Sequence, residues 1–376
     1  MSNRRLHREG ELPQYRRLME SFYGVGHYET QDDYFEWMHR GRIHLNPTHV
    51  EGTESVYCAF DGGVARAAVD FMPVWLYENG TQSRSVLWTV NWISEPGYEL
   101  EAMLCLNELR KHHSMHLSFG ATEQVRKIRE RSGYGYSHGI PRYVSVLDLN
   151  ASIELSDPIT KNDQRYRARM QELAEAAIEF SNSPWVEVER QDALNQEYWA
   201  NHLTENSCAL DRSPAYLEWR YRQHPSIKYY LVSTDNLQSA GIAVIRIERE
   251  TTTGHSVARL LEVLNTRGRR EQLIKSVCSF AKARECAFTD FFCSSSPYLS
   301  SMPTPFTRMK GTVLNGLPRL FQPLEHRDRT SLNLSWYANE QGRCGPQGVE
   351  GPGLYITKGD PGQDVEVNAG YRTIKE

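Results

Sequence analysis

No stretch of this chain approaches the roughly 18 consecutive apolar residues that a membrane-crossing helix needs, and the opening MSNRRLHREGELPQYRR has no apolar core of a secretory signal. The expected location is the cytoplasm. Positive charge is also in short supply: 43 Lys and Arg face 47 Asp and Glu, a net charge of −4. No global basic field therefore draws in nucleic acid or an anionic membrane, and an anionic ligand must meet a local patch. Cysteine is sparse, 7 residues without CxxC spacing, and the odd count argues for reduced, buried thiols over a closed disulfide framework. Cys293, after two Phe residues and with no nearby His, reads as an inert thiol, not a nucleophile. His112, His113 and His116 of KHHSMH have no carboxylate at ligand spacing and fall where a helix ends, so no metal is expected.

What the chain does have is repetition. YFEWMHR, Tyr34 to Arg40, recurs 182 residues later as YLEWRYR, Tyr216 to Arg222. GIPRYVSVLD, Gly139 to Asp148, aligns without a gap to GLPRLFQPLE, Gly316 to Glu325. Between these anchors each half runs through the same elements: a hairpin (SVYCAFDGGVARAAVDFMPVWLY, KYYLVSTDNLQSAGIAVIRIER), a β-rich run (SVLWTVNWIS, SVARLLEVLNT), a glycine (Gly97, Gly268) opening a helix-period stretch, and another short strand (MHLSFGA, FTDFFCSS). Such self-similarity at a long period signals duplication, and a chain of 376 residues exceeds what one hydrophobic core normally serves. The expected plan is a mixed α/β chain of two tandem domains, each a central mixed sheet flanked by helices: residues 1–150, a helical linker 151–183, residues 184–338, and a Gly- and Pro-rich tail 339–376 without a packed core of its own. The Tyr and Trp of the YxEW segments read as core residues of amphipathic helices, the second ended by Pro225.

This order of elements resembles the GNAT superfamily of acyl-CoA N-acyltransferases. Two such halves resemble tandem GNAT proteins of bacterial surface-polysaccharide clusters, most specifically in YLEWRYRQHP and in the tail LYITKGDPGQD, Leu354 to Asp364. The resemblance implies acetyl-CoA as co-substrate, an amino sugar, nucleotide-linked, as acceptor, and no nucleic-acid partner. Tandem GNAT folds also serve in peptidoglycan-bridge synthesis with other acyl donors, and degenerate loops in both halves keep a non-catalytic, ligand-binding role open. The family's cofactor loop is written Arg/Gln, two variable, Gly, variable, Gly/Ala. This sequence departs from it, with Asn265 and Arg270 around Gly268, and Ser94 and Glu99 around Gly97.

Charge separates the halves where the motif does not. A diphosphate bound at a helix N-terminus is helped by cations and repelled by carboxylates. TRGRRE sets Arg267, Arg269 and Arg270 against Glu271, whereas SEPGYELE carries Glu95, Glu99 and Glu101. The second half is thus expected to hold the cofactor through Arg267, Gly268, Arg269 and Arg270, the first being kept for packing or for shaping the acceptor site. Acyl transfer to an amine needs a base, an oxyanion donor and an acid for the thiolate. By the resemblance these are Glu262 or Asp290 as base, a backbone N–H near Val263 or Leu264 as donor, and Tyr298 as acid. In the tail, Lys358, Asp360, Gln363 and Asp364 form a polar turn that could bind the acceptor or merely complete a sheet edge.

Overall fold

In the computed structural model the described residues are 3–8, 10–25, 30–41, 53–113, 115–119, 123–137, 140–189, 196–250, 253–294, 302, 306–308, 316–318, 333–338, 354–357 and 359. They form two mixed sheets. Chain order supplies β1 (Asn3–Arg8), β2 (Thr53–Asp61), β3 (Val64–Glu78), β4 (Thr81–Ser94), β5 (Met115–Phe119), β6 (Gly135–Ser137), β7 (Arg142–Val146), β8 (Val186–Glu187) and β9 (Cys208–Leu210). These are followed by β10 (Tyr229–Ser233), β11 (Gly241–Arg249), β12 (Ser256–Asn265), β13 (Cys286–Phe292), β14 (Thr307–Arg308), β15 (Leu334–Ala338) and β16 (Leu354–Tyr355). The first sheet has the order β1-β2-β3-β4-β5-β15-β6, with β9 and then β16 continuing from the far end of β3. The second has the order β14-β7-β13-β12-β11-β10-β8. The expected Asp-Gly-Gly turn closes β2 onto β3, with Gly62 and Gly63 both at positive φ, as tight hairpin turns require.

The two sheets exchange strands. β7, which follows the first half's elements, lies antiparallel to β13 and β14 in the second sheet. β15, late in the chain, takes the matching slot between β5 and β6 in the first. The repeated Gly-apolar-Pro-Arg segments meet at this crossing, where Arg142 donates to the carbonyls of Leu317 (3.0 Å) and Pro318 (2.8 Å). Residues 319–325 of the second copy lie outside the described residues.

Helices α1 (Leu12–Tyr23), α2 (Asp32–Phe35), α3 (Glu99–His112) and α4 (Glu123–Arg131) accompany the first sheet. The segment expected as linker holds α5 (Leu149–Glu154) and α6 (Gln164–Ala177), the latter capped by the Asp163 carboxylate on the amides of Arg165 and Tyr166. In the second half follow α7 (Glu197–Glu205), α8 (Pro214–Leu217) and α9 (Arg270–Ala283). Apolar spacing seats Leu273, Ile274, Val277, Phe280 and Ala281 of α9 in the core beneath β10–β13.

Both YxEW segments run from a short α-helix into a π-helical turn, Glu36–Arg40 and Glu218–Arg222, and their tryptophans face each other. A helix leaves its last carbonyls without intrahelical partners. Here each tryptophan supplies the other's: Trp37 Nε1 donates to the Trp219 carbonyl at 2.8 Å, and Trp219 Nε1 to the Trp37 carbonyl at 2.9 Å. The indoles stack at 5.0 Å with 15° between planes, inside an aromatic cluster that joins the two sheets.

Part of the tail packs against the rest of the protein: Leu354, Tyr355, Ile356 and Thr357 are all buried, with β16 lying parallel to β9. One sequence expectation is corrected, because not all thiols are reduced: Cys208 is disulfide-bonded, whereas Cys58, Cys105, Cys278, Cys286 and Cys293 are free and buried. Spacing along the chain could not reveal a cross-link that depends on how β9 is placed between the halves.

Replacing either Trp37 or Trp219 by Ala removes a buried indole and is expected to destabilise the protein by about 3–5 kcal/mol. Because each tryptophan satisfies the other's carbonyl, the double variant in urea denaturation should lose clearly less than the sum of the singles. Strict additivity would show that the pair is not a coupled unit.

Candidate active site

The geometry around the central strands is the same in both halves. In β12, Val244 pairs with Glu262 and Ile245 with Leu260, leaving Leu261 as an extra, bulged residue. In β4, Asp70 pairs with Asn91 and Phe71 with Thr89, leaving Val90 in that position. Immediately beside each bulge the parallel partner strand parts company. The β12–β13 ladder ends at Leu260–Phe291 and the β4–β5 ladder at Trp88–Leu117, although β12 and β4 continue. A cleft thus opens beside a kinked strand, and bulges kink and twist a strand in this way.

The loops that follow differ in their surroundings. Gly268 and Gly97 both sit at positive φ, turning the chain into α9 and α3. In the second half Arg267, Gly268 and Arg269 are exposed, while Arg270 is half-buried, donating to Asn265 Oδ1 (3.1 Å) and Glu205 Oε2 (2.5 Å). The N-terminus of α9 has no side-chain cap. In the first half, Glu99 Oε1 accepts from the Gly97 amide at 3.1 Å, so a carboxylate already occupies that anion position, and Glu95 is paired with Arg66 and Arg17.

Glu262 is fully buried beside the Leu261 bulge. Its Oε1 accepts from Arg212 Nε (2.7 Å), the Tyr221 hydroxyl (2.8 Å) and Thr357 Oγ1 (3.3 Å). Burial, and next the Glu262 charge, push the Tyr221 hydroxyl well above its ordinary range, so it stays a donor. Arg212, just ahead of α8, is the guanidinium at Glu262, whereas Arg259 of β12 itself binds Asp290. Two segments singled out in the sequence, YLEWRYR and LYITKGD, therefore touch around one glutamate: Arg220 Nη2 donates to the Gly359 carbonyl at 3.1 Å, and a Cβ on Gly359 would lie 2.4 Å from the Tyr221 hydroxyl.

The tail also fills the parting of the second half's strands. The Val263 amide, the expected oxyanion donor, donates to the Tyr355 hydroxyl at 3.1 Å. Thr357 bridges to Cys293, and Ser294 exchanges hydrogen bonds with Ile356. Leu264 is buried in the joining cluster. Asp290 is one strand away from Glu262, held by Arg142 Nε (2.8 Å) and Arg259 Nη1 (2.5 Å), so it anchors the exchanged strand β7. Tyr298, Lys358, Asp360, Gln363 and Asp364 lie outside the described residues.

Sequence reasoning missed the first half's counterpart. Aligned through the bulges, Asn91 stands where Glu262 does, and through the YxEW segments His39 stands where Tyr221 does. The carboxylate has moved to the neighbouring strand: Asp70 Oδ2 accepts from the Tyr15 hydroxyl (3.0 Å) and from Asn91 Nδ2 (3.4 Å), and its Oδ1 is 3.8 Å from His39 Nε2. The polar residues at two repeat-equivalent positions were the available signal. As for metals, no group of ligating side chains occurs among the described residues. His113 and His116 of KHHSMH are buried with ring centroids 6.1 Å apart. Burial holds the His113 imidazole at about 4 and lowers His116 well below its usual range.

No family model matches the sequence, and no curated protein does. Solved structures do. A GCN5-related N-acetyltransferase from Anabaena variabilis ATCC 29413 superposes with a TM-score of 0.54 at 12% identity, covering 90% of this chain and 73% of that one. A conserved protein of unknown function from Enterococcus faecalis V583, titled a probable N-acyltransferase, gives 0.53 at 10% identity, with 82% and 70% covered. The fold is that of the GCN5-related N-acetyltransferases. A third neighbour of that description, from Kribbella flavida, gives 0.50 at 12% identity over 77% of this chain and 64% of its own. At these identities the GNAT likeness speaks for the fold, mixed sheets flanked by helices as the sequence order implied.

Two outcomes follow. Asp290→Asn strips two buried guanidiniums of their carboxylate and should destabilise the protein by about 3–5 kcal/mol in chemical denaturation; a change under about 1 kcal/mol would show that Asp290 is not the anchor. The buried histidines have folded-state pKa values below the unfolded one, so their contribution is complete above about pH 6.5 and is lost as pH falls toward about 4. The thermal midpoint should therefore drop between about pH 7 and about pH 5, and His113→Gln should shrink that drop.

Proposed function

We propose that this chain is an N-acyltransferase that moves an acetyl group from acetyl-CoA to the amine of an amino sugar, nucleotide-linked, in surface-polysaccharide synthesis. The observation that supports it most is the parting of the central parallel strands beside a bulge, followed by a glycine that opens a helix. That arrangement offers backbone donors to an extended acyl donor and uncapped helix amides to its diphosphate. The amino sugar and the pathway come from the resemblance of YLEWRYRQHP and LYITKGDPGQD.

We assign the diphosphate to Arg267, Gly268, Arg269 and Arg270, because the corresponding amide in the first half already carries the Glu99 carboxylate. The Tyr355 hydroxyl stands where the thioester carbonyl would accept from Val263, so the donor must displace it. Of the two carboxylates, Glu262 borders the cleft and is the base in this reading. The amine nitrogen bonds to the acyl carbon, its proton passes to Glu262, the carbon–sulfur bond breaks, and Tyr298 protonates the departing thiolate. Lys358, Asp360 and Asp364, next to the glutamate-contacting Thr357 and Gly359, are assigned to the acceptor. One observation favours a second reading, ligand binding without transfer: Tyr355 and Thr357 are built into a ladder running from β3 through β9 and β16.

Calorimetry with acetyl-CoA tests the acyl-donor part of this reading, and appearance of free thiol on adding an amino sugar separates transfer from binding alone. Binding should be detectable, strengthened severalfold by Tyr355→Ala, which vacates the cleft, and abolished by Arg267→Glu with Arg269→Glu. Silence at about 1 mM ligand from both the wild type and Tyr355→Ala would overturn the acetyl-CoA reading.

A further inference from the structure

The strap over Glu262, Leu354 to Thr357, joins the sheet through a ladder of two residues, Leu354 beside Cys208 and Tyr355 beside Ala209. A ladder that short is marginal by itself. Side chains extend the hold: Ser294 Oγ accepts from the Ile356 amide at 2.8 Å, the Tyr355 hydroxyl accepts from the Val263 amide at 3.1 Å, and Thr357 Oγ1 donates to Glu262 at 3.3 Å. At the base of this ladder sits a covalent bond, because Cys208, the residue paired with Leu354, is disulfide-bonded. Of the seven cysteines, Cys58, Cys105, Cys278, Cys286 and Cys293 are free. That leaves Cys344, which precedes the strap in the tail and lies outside the described residues.

We propose that Cys208 and Cys344 form a reversible bridge that staples the tail over the parted strands of the second half, so that reduction opens the cleft beside Glu262 and oxidation shuts it. The inference rests on the reading of that cleft as the acyl-donor site. A cross-link acts chiefly by limiting the conformations open to the released chain, so a bond on the strand where the strap docks favours the docked form. What the strap covers is the Val263 amide, so docking and use of that donor exclude each other. Competing exchange is suppressed: burial pushes the Cys105, Cys278 and Cys286 thiols up to about 12, and Cys58 well above its ordinary range. In the opening step a dithiol supplies two electrons. One of its thiolates attacks the bridge, the S–S bond breaks, and its second thiol closes the reductant's own disulfide, leaving Cys208 and Cys344 as thiols with the two protons.

The test uses the full chain, oxidised with glutathione disulfide or reduced with dithiothreitol. Peptide mapping of the oxidised form should find Cys208 joined to Cys344. Hydrogen exchange should be about tenfold faster after reduction in the peptide carrying Val263, and unchanged in one from β4. Cys208→Ser should exchange fast under both conditions; should it fail to fold, Cys344→Ser decides. Equal exchange in the two forms, or Cys208 found unlinked, overturns the proposal. Acetyl-CoA affinity should rise severalfold on reduction. Faster exchange with no acetyl-CoA binding in either form would sink the donor reading and leave the staple standing, whereas binding with unchanged exchange would sink the staple alone.

Discussion

The reciprocal contact of Trp37 and Trp219 is the constraint on which the rest of the structure depends. Two helix ends, each with a carbonyl lacking an intrahelical partner and each with an indole N–H, solve one another's problem when brought face to face. That solution works only if the two halves are related by near two-fold symmetry. The same symmetry places the Gly-apolar-Pro-Arg segments together, with Arg142 reaching the carbonyls of Leu317 and Pro318, and lets β7 and β15 trade sheets. The segments that recur along the chain are thus among those through which the two sheets meet. Their repetition marks a joint between halves, and the same turns also supply the residue that meets each half's buried carboxylate.

Within that frame each half carries one buried carboxylate beside a bulge, contacted from the same position of the π-helical turn. In one half it is Glu262, on the central strand, met by Tyr221; in the other it is Asp70, on the neighbouring strand, with His39 alongside. The two have diverged in what surrounds them. Glu262 is met by a guanidinium and covered by the tail, whereas Asp70, equally buried, lies among the Tyr15 hydroxyl, the Asn91 amide and the His39 ring. The halves have also divided the surrounding charge, arginines at one helix-opening glycine and glutamates at the other. Burial and pairing, not the identity of the carboxylate, set what each half can bind.

Much of the fold was legible along the chain because it is written in local terms: alternation for strands, three- and four-residue steps for α9, a glycine at each helix start, and order repeated at a long period. Glu262 was legible as a polar residue in an apolar run. What escaped notice was non-local. Arg212 lies 50 residues from Glu262, and Thr357 lies 95 residues beyond it. Asp70 reads as one acid in a long strand until the bulge sets it against Asn91.

The sequence by itself determined which segments recur, the order of strands and helices between them, and which loop bears positive charge, since these follow from spacing and composition. Only the tertiary structure decided which strands complete which sheet, that Tyr355 holds the Val263 amide, and that the tail covers the parting of the second half's strands. Those outcomes turn on hydrogen-bonding groups that lie far apart in the chain and must each find a partner once buried, and nothing in local spacing specifies which partner that is.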